Sequence, residues 1–218
     1  QALARFASAL IAEAPPLAQP VIARQEHTTP QALAGFTILA SLANARLRAH
    51  LPPDTCVCDD CLRELADPRD RRHRYPFINC TQCGPRYTLI TRLPYDRAHT
   101  AMAGFPLCPA CRTEYENPGD RRFHAEPLAC PVCGPQLQFY SGEAGIIDDS
   151  AQALDACVAA LRAGLIVAVK GVGGYHLLCD ARHDTAIARL RRLKPRPHKP
   201  LAVMFPFAGE DGLELVRS

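Results

Sequence analysis

With 218 residues and 48% apolar side chains, the chain can hold one or two ordinary domains and is too apolar to be disordered. A net charge of +3 gives no whole-chain case for nucleic acid, and no run approaches the ~18 apolar residues of a membrane span. The 11 cysteines, with no basic-then-apolar leader after Gln1, are expected to be cytoplasmic thiols, where CxxC pairs serve as metal ligands more often than as disulfides.

Residues 1–50 open the chain. Leu3, Phe6, Ala7, Leu10 and Ile11 recur at helical spacing, which predicts a helix over 2–13. Pro15 and Pro16 end it. VIARQEH, from Val21, reads as a strand, and Gly35–Ser41 as a second. One helix and two strands make too small a core, so this block reads as the second half of a small α+β domain. LPPD, from Leu51, is a linker.

Residues 54–140 follow a different rule. Cys58, Cys61, Cys80 and Cys83 are spaced Cys-x2-Cys-x18-Cys-x2-Cys. Cys108, Cys111, Cys130 and Cys133 repeat that spacing. Two CxxC pairs can complete a tetrahedral thiolate shell, so the segment is expected to hold two structural Zn2+ ions. Consecutive sets are favoured because each repeat is then self-contained; an interleaved pairing stays open. Cys56, two residues before Cys58, could compete, but the repeat assigns Cys58.

The repeat extends past the cysteines. CDDCLRELADPRDRRHRYPFINCTQCGP aligns without gaps to CPACRTEYENPGDRRFHAEPLACPVCGP. Glu64 matches Glu114, and Asp70-Arg71-Arg72 matches Asp120-Arg121-Arg122. Such self-similarity marks a duplicated unit. The charged triplets read as a solvated ion-pair face, with a partner-docking surface as the sharper alternative. Gly84 and Gly134, after each closing CxxC, suit a knuckle with positive φ. Half of the 20 prolines lie here, so metal binding must supply much of the folding free energy, about 10 kcal/mol per site. Between the repeats, Tyr87 to Arg92 alternates as a strand does, and Tyr95, Met102 and Phe105 are expected to pack between the knuckles.

Residues 149–218 alternate as α/β proteins do. Asp149 or Ser150 caps a helix with Ala153, Leu154, Cys157, Val158 and Leu161 on one face, and Gly164 closes it. LIVAVK, from Leu165, reads as a strand buried on both faces. LLCDA reads as a second strand, Asp184–Leu193 as a helix and LAVMF as a third strand. Cys157 and Cys179 read as core. Lys170-Gly171-Val172-Gly173-Gly174-Tyr175-His176 sits at a strand end, where backbone N–H groups can cradle phosphate. Lys194, Arg196 and Lys199 stand among prolines that hold them extended. Together the two elements suit a nucleotide triphosphate; Arg191 and Arg192 read as solvated face.

These pieces resemble one family. CDDCLREL, RYPFINCTQCGPRYT and LPYDRAHTAM, then FPLCPACRTEYENPGDRRFHAEPLACPVCGP, resemble the zinc units of HypF, the [NiFe]-hydrogenase maturation carbamoyltransferases. KGVGGYHLLCDA and KPRPHKPLAVMF resemble the start of its YrdC-like domain, and AEAPPLA and GFTILAS the end of its acylphosphatase-like domain. The fold class that follows is an α+β multidomain fragment. It comprises a ferredoxin-like acylphosphatase remnant over 1–50, a tandem zinc-finger module over 54–140 and a partial α/β YrdC-like domain over 149–218. The opening Gln and the ending GLELVRS set the expectation that the polypeptide extends both ways.

The resemblance implies a mechanism. Carbamoyl phosphate is hydrolysed to carbamate, ATP with Mg2+ converts this to carbamoyl adenylate, and a third domain passes the carbamoyl group to the C-terminal cysteine of HypE. The phosphate-cradling arginine loop, the acylphosphatase asparagine motif and the third domain have no counterpart in these 218 residues, so no residue here is assigned a catalytic role. Lys170, Gly171, Gly173, Gly174, His176, Lys194, Arg196 and Lys199 are the expected ATP-site residues. A zinc-ribbon module binding nucleic acid or protein is the alternative, with Arg69, Arg71, Arg72, Arg74, Arg121 and Arg122 as its phosphate contacts. Modest net charge counts against nucleic acid, and a salt series separates the two readings.

Overall fold

The computed structural model describes residues 2–14, 18, 20–26, 29, 52–142, 145–171, 174–206 and 214–217. The chain divides into two compact units, residues 1–136 and 137–218.

In the first unit, α1 covers Ala2–Ala12, as the apolar spacing predicts, and buries none of its residues. Residues 21–26, expected to be a strand, carry no regular structure. No partner strand pairs with them among the described residues, and an unpaired strand leaves its backbone groups unsatisfied. The second expected strand, residues 35–41, lies outside the described residues.

The rest of this unit is organised by the cysteines. Helix α2 (Asp59–Ala66) has Cys58 as its N-cap, and α3 (Pro109–Glu116) has Cys108. Neither cysteine side chain caps its helix, which leaves both sulfurs free for another task. Asp59 and Asp60 favour the α2 start through the helix dipole, and Pro109 supplies a preset φ at the α3 start. One turn later come Cys61 and Cys111, both fully buried. Each repeat then turns back through a left-handed residue, Arg74 (φ 57°) or His124 (φ 49°). The N–H groups of these residues donate to Leu65 and Tyr115 at 2.9 and 3.0 Å.

Two small cores form around the sulfurs. Tyr75, Ile78, Met102 and Ala129 bury against Cys61, Cys80 and Cys83, with Phe105 packed on them. Ala125 and Leu128 bury against Cys111 and Cys130. Met102 and Phe105, expected between the knuckles, thus pack on the first core, which Ala129 of the second repeat also joins; Tyr95 is half-buried, with its hydroxyl enclosed and unpartnered.

The expected strand at 87–92 is instead a 3-10 turn, Tyr87–Leu89. Asp54 decides this. Its Oδ1 accepts from the N–H groups of Arg86 (2.6 Å) and Thr88 (3.2 Å) and from the Thr88 hydroxyl (3.1 Å). That capping satisfies donors a strand would need to pair elsewhere.

In the second unit, β1 (Phe139–Ser141) and β2 (Gly145–Ile147) pair antiparallel, with α4 (Ser150–Arg162) following. Asp149 caps α4 by accepting from the Gln152 N–H at 2.9 Å. Its C-terminus is a Schellman turn: Leu165 N–H bonds Ala160 O, and Gly164 (φ 73°) bonds Leu161 O. Arg189 on α5 (Asp184–Leu193) donates to the Gly164 carbonyl at 2.5 Å, and the His183 ring lies against that glycine. α5 has the predicted bounds.

Strand β3 (Val167–Gly171) does not have two buried faces. It pairs antiparallel with β4 (Gly174–Leu178), and half-buried and exposed residues alternate along it. β4 begins at Gly174 rather than at Leu177, because the pairing with β3 extends to Gly171 and Gly174. Cys179 therefore falls just past the strand, half-buried like Cys157. Leu201–Phe205 is not a strand; no partner pairs with it among the described residues. A short helix, α6, covers Glu214–Arg217.

Candidate metal centres and nucleotide loop

The eight repeat cysteines form two clusters. The sulfurs of Cys58, Cys61, Cys80 and Cys83 all lie within 4.8 Å of one another, and so do those of Cys108, Cys111, Cys130 and Cys133. In the first, Cys58–Cys80, Cys80–Cys83 and Cys83–Cys61 are 3.7, 3.8 and 3.5 Å apart. In the second, Cys108–Cys130 and Cys130–Cys133 are 3.8 and 3.7 Å apart. A tetrahedron of sulfurs about 2.3 Å from a central zinc has edges of about 3.8 Å. Disulfide sulfurs would stand about 2.05 Å apart. Both clusters thus fit four-thiolate metal centres, in consecutive rather than interleaved sets. Cys56 is exposed and joins neither.

The Asp-Arg-Arg triplets are not a solvated face. Arg72 and Arg122 are 1% and 3% exposed. Each triplet crosses to the other repeat. Arg72 holds Glu114 with Nη1 (3.0 Å) and Nη2 (2.5 Å), while its Nε donates to Ala129 O at 2.9 Å. Arg122 pairs with Glu64 in the same way, and its Nε donates to Asn79 O at 3.0 Å. Arg71 donates to Glu114 at 2.6 Å and to the Cys111 sulfur at 3.2 Å. Arg121 bonds Glu64 at 2.6 Å and reaches the Cys61 sulfur at 3.3 Å. Asp70 and Asp120 fix each triplet by accepting from the N–H groups of Arg72 and Arg122 at 2.7 and 2.8 Å.

Burial raises the Glu64 and Glu114 carboxyls, but hydrogen bonds from Arg122 and Arg72 outweigh it and hold both below the ordinary range. Charge runs are usually exposed, which is why the sequence reading set these side chains in solvent. The available signal was the matched Glu and Arg-Arg positions of the two repeats.

Five of the six arginines considered as phosphate contacts are thereby committed, since Arg69 also pairs with Asp67 at 3.1 Å. Arg74 is the sixth, and it occupies the left-handed turn. A further arginine ties in the connecting segment: Arg97 donates to Glu126 O at 2.6 Å, Leu128 O at 2.9 Å and Phe105 O at 2.7 Å.

Both knuckle glycines leave no room for a Cβ. At Gly84 it would stand 2.7 Å from the Asn79 Cβ, and the residue also has φ 96°. Gly134 does not need a positive φ; its requirement is space, because a Cβ there would sit 2.2 Å from the Tyr75 hydroxyl and 2.6 Å from the Ala129 Cβ. Gly134→Ala is therefore expected to destabilise the metal-loaded unit by about 1–3 kcal/mol, read as a lowered thermal midpoint at saturating metal. An unchanged midpoint would show that Tyr75 can move aside freely.

The expected nucleotide residues lie on two exposed elements of the second unit. Lys170 and Gly171 are on β3, and Gly174 and His176 on β4; Val172 and Gly173 fall outside the described residues. Lys170 is paired with Tyr175 and Val169 with His176, so Lys170 and His176 lie on opposite faces of the ribbon. The His176 ring packs over Gly171, 3.3 Å from where a Cβ would stand. Lys194, Arg196 and Lys199 lie in the segment after α5. This segment turns rather than extends. Lys199 N–H donates to Arg196 O at 3.2 Å, and Arg191 Nη1 donates to Arg196 O at 3.3 Å and Lys199 O at 3.0 Å. Arg191, read as solvated face, is thus the brace of the basic turn. No hydrogen bond joins the two elements among the described residues.

Comparison with known proteins adds the lineage. The HypF finger family model matches residues 57–90 and 107–140, one match for each cysteine cluster. Both cysteine units are HypF fingers, and nearly the whole chain is similar to HypF proteins. A second model, described as telomere recombination and covering Sua5, YciO and YrdC proteins, matches residues 159–210. HypF2 carbamoyltransferase from Cupriavidus necator is 55% identical over 205 residues, 93% of this chain and 25% of that protein. HypF from Synechocystis is 51% identical over 213 residues, 96% of this chain and 27% of that protein. The chain thus spans about a quarter of the length of these HypF relatives. A solved T. kodakarensis HypF matches with a TM-score of 0.75 at 43% identity, over 90% of this chain and 24% of that one. A full-length HypF in a phosphate- and nucleotide-bound form matches with a TM-score of 0.63 at 55% identity, over 70% and 20%.

Proposed function

We propose that this chain is the zinc-bearing joint of a hydrogenase-maturation carbamoyltransferase, flanked by the end of an acylphosphatase-like domain (1–50) and the start of a YrdC-like domain (149–218). The observation that carries this reading is the pair of four-sulfur clusters in HypF finger order, followed by the YrdC-type segment. The eight cysteines hold two Zn2+ ions, which fold and brace the unit and do no chemistry. The whole enzyme uses carbamoyl phosphate and ATP with Mg2+, and its acceptor is the C-terminal cysteine of HypE. Its compartment is the cytoplasm; among the described residues no helix is long and apolar enough to cross a membrane.

In the ATP step, Lys170, Lys194, Arg196 and Lys199 neutralise the triphosphate, and the backbone of Gly171, Gly173 and Gly174 approaches it. His176 supports the loop by covering Gly171. That a matched full-length HypF takes a nucleotide supports the nucleotide reading. Each charge-assisted contact is worth about 1.5–3 kcal/mol. Replacing Lys194, Arg196 and Lys199 together by Ala in the whole enzyme should therefore weaken ATP binding at least about tenfold by isothermal titration. Unchanged affinity would remove these residues from the site.

The 218 residues alone are expected to release no phosphate from carbamoyl phosphate above background. The motif of an arginine-bearing phosphate cradle, whose N–H groups and guanidinium supply the binding energy, has no counterpart in their sequence. A colorimetric phosphate assay checks this, and turnover of even a few per minute would contradict it.

A further inference from the structure

Each cysteine cluster has one buried sulfur served by the other repeat. Cys61 is reached by Arg121 Nη1 at 3.3 Å and Nη2 at 3.4 Å, and Cys111 by Arg71 Nη2 at 3.2 Å and Arg72 Nη2 at 3.5 Å. The arginines that reach Cys111 lie between Cys61 and Cys80, on the loop that the first cluster closes. Those that reach Cys61 lie between Cys111 and Cys130, on the loop that the second cluster closes. We infer that the two metals load as one cooperative unit, because each metal orders the guanidinium groups that stabilise the thiolates of the other site.

The charges run the same way. Four guanidinium groups face two carboxylates, Glu64 and Glu114, across this interface. Asp70 and Asp120 complete the charge balance of the two triplets and accept from the Arg72 and Arg122 N–H groups. A Zn2+ bound by four thiolates carries net charge −2, so filling one cluster strengthens the hydrogen bonds that the opposite repeat's arginines donate to its sulfur. Donors held around a metal's first ligands commonly change its affinity 10–100-fold. Linkage requires that the coupling be equal in both directions. The inference rests on the reading that the clusters hold zinc.

Titration of the metal-free, reduced chain with zinc against a competing chelator, followed by native mass spectrometry, tests it. With two equal independent sites, about half of the chains carry one metal at half saturation; a 10–100-fold coupling lowers this to roughly a quarter to a tenth. The wild-type chain is expected to show mainly the zero- and two-metal species. Arg71→Met with Arg121→Met, at two partly exposed positions, should still bind two zinc ions at saturation, with the one-metal species rising towards half. Should that pair fail to fold, Arg71→Lys with Arg121→Lys keeps the charge, loses the forked geometry and should move the distribution the same way. A wild-type one-metal species near half would overturn the coupling, and so would a distribution that neither variant changes. Uptake of fewer than two zinc ions by the wild type would instead overturn the metal reading itself.

Discussion

Stripping metal from the chain with a strong chelator will unfold residues 54–136 and leave α4 and α5 in place. The cores around the clusters are too small to hold this segment. Apart from cysteines, the first buries Tyr75, Ile78, Met102 and Ala129, and the second only Ala125 and Leu128. A structural zinc site contributes about 10 kcal/mol of folding free energy, more than a typical domain has to spare. Hydrogen exchange should show protection lost at the backbone donors of Leu62, Arg112, Tyr75 and Ala125, all of which bond within the zinc-bearing unit. Protection at the Ala163 and Gly164 N–H groups, in the other unit, should persist. Cys61→Ser should reproduce much of the loss, because Cys61 is both a cluster sulfur and the acceptor for Arg121. Retained protection across 54–136 without metal would mean that the arginine lattice and packing suffice.

Glu114→Ala is expected to cost about 3–5 kcal/mol even with zinc saturating, the loss characteristic of leaving a buried charge without its partner. Glu114 carries the ion pairs of Arg71 and Arg72, and the Arg72 side chain is 2% exposed. Removing the carboxylate leaves that guanidinium with Ala129 O and the Cys111 sulfur. Glu116→Ala is the matched control. Glu116 sits on the same helix and pairs with Arg112 at 3.5 Å, but both side chains are about 60% exposed, so its loss should cost under about 0.5 kcal/mol. Chemical denaturation at fixed zinc measures both. Equal, small effects would show that the lattice is not a stabilising element.

The contrast between those two glutamates shows what the sequence conveys. Local signals were legible: the Asp149 cap, the Gly164 closure and the Asp184 start place α4 and α5 within a residue. The cysteine clusters were legible because metal-ligand spacing is set by chain geometry over two residues. Glu114 differs from Glu116 in sequence by its repeat partner alone, since it matches Glu64 while Glu116 stands opposite Ala66, and the crossing of the repeats turns that match into a buried pair. The eight-residue helices α2 and α3 were missed because they are too short for periodicity to show. Tyr87–Leu89 was misread because its conformation is decided by Asp54, more than 30 residues earlier. Leu201–Phe205 has strand composition, but a strand is made by its partner, and none is paired with it among the described residues.

Zinc K-edge X-ray absorption of the purified chain tests the central claim most directly. Two consecutive four-cysteine centres predict a single shell of four sulfurs per zinc at about 2.3 Å. A shell containing nitrogen or oxygen at about 2.0 Å would contradict the assignment, because it would place histidine, carboxylate or water where Cys58, Cys61, Cys80, Cys83, Cys108, Cys111, Cys130 and Cys133 should stand.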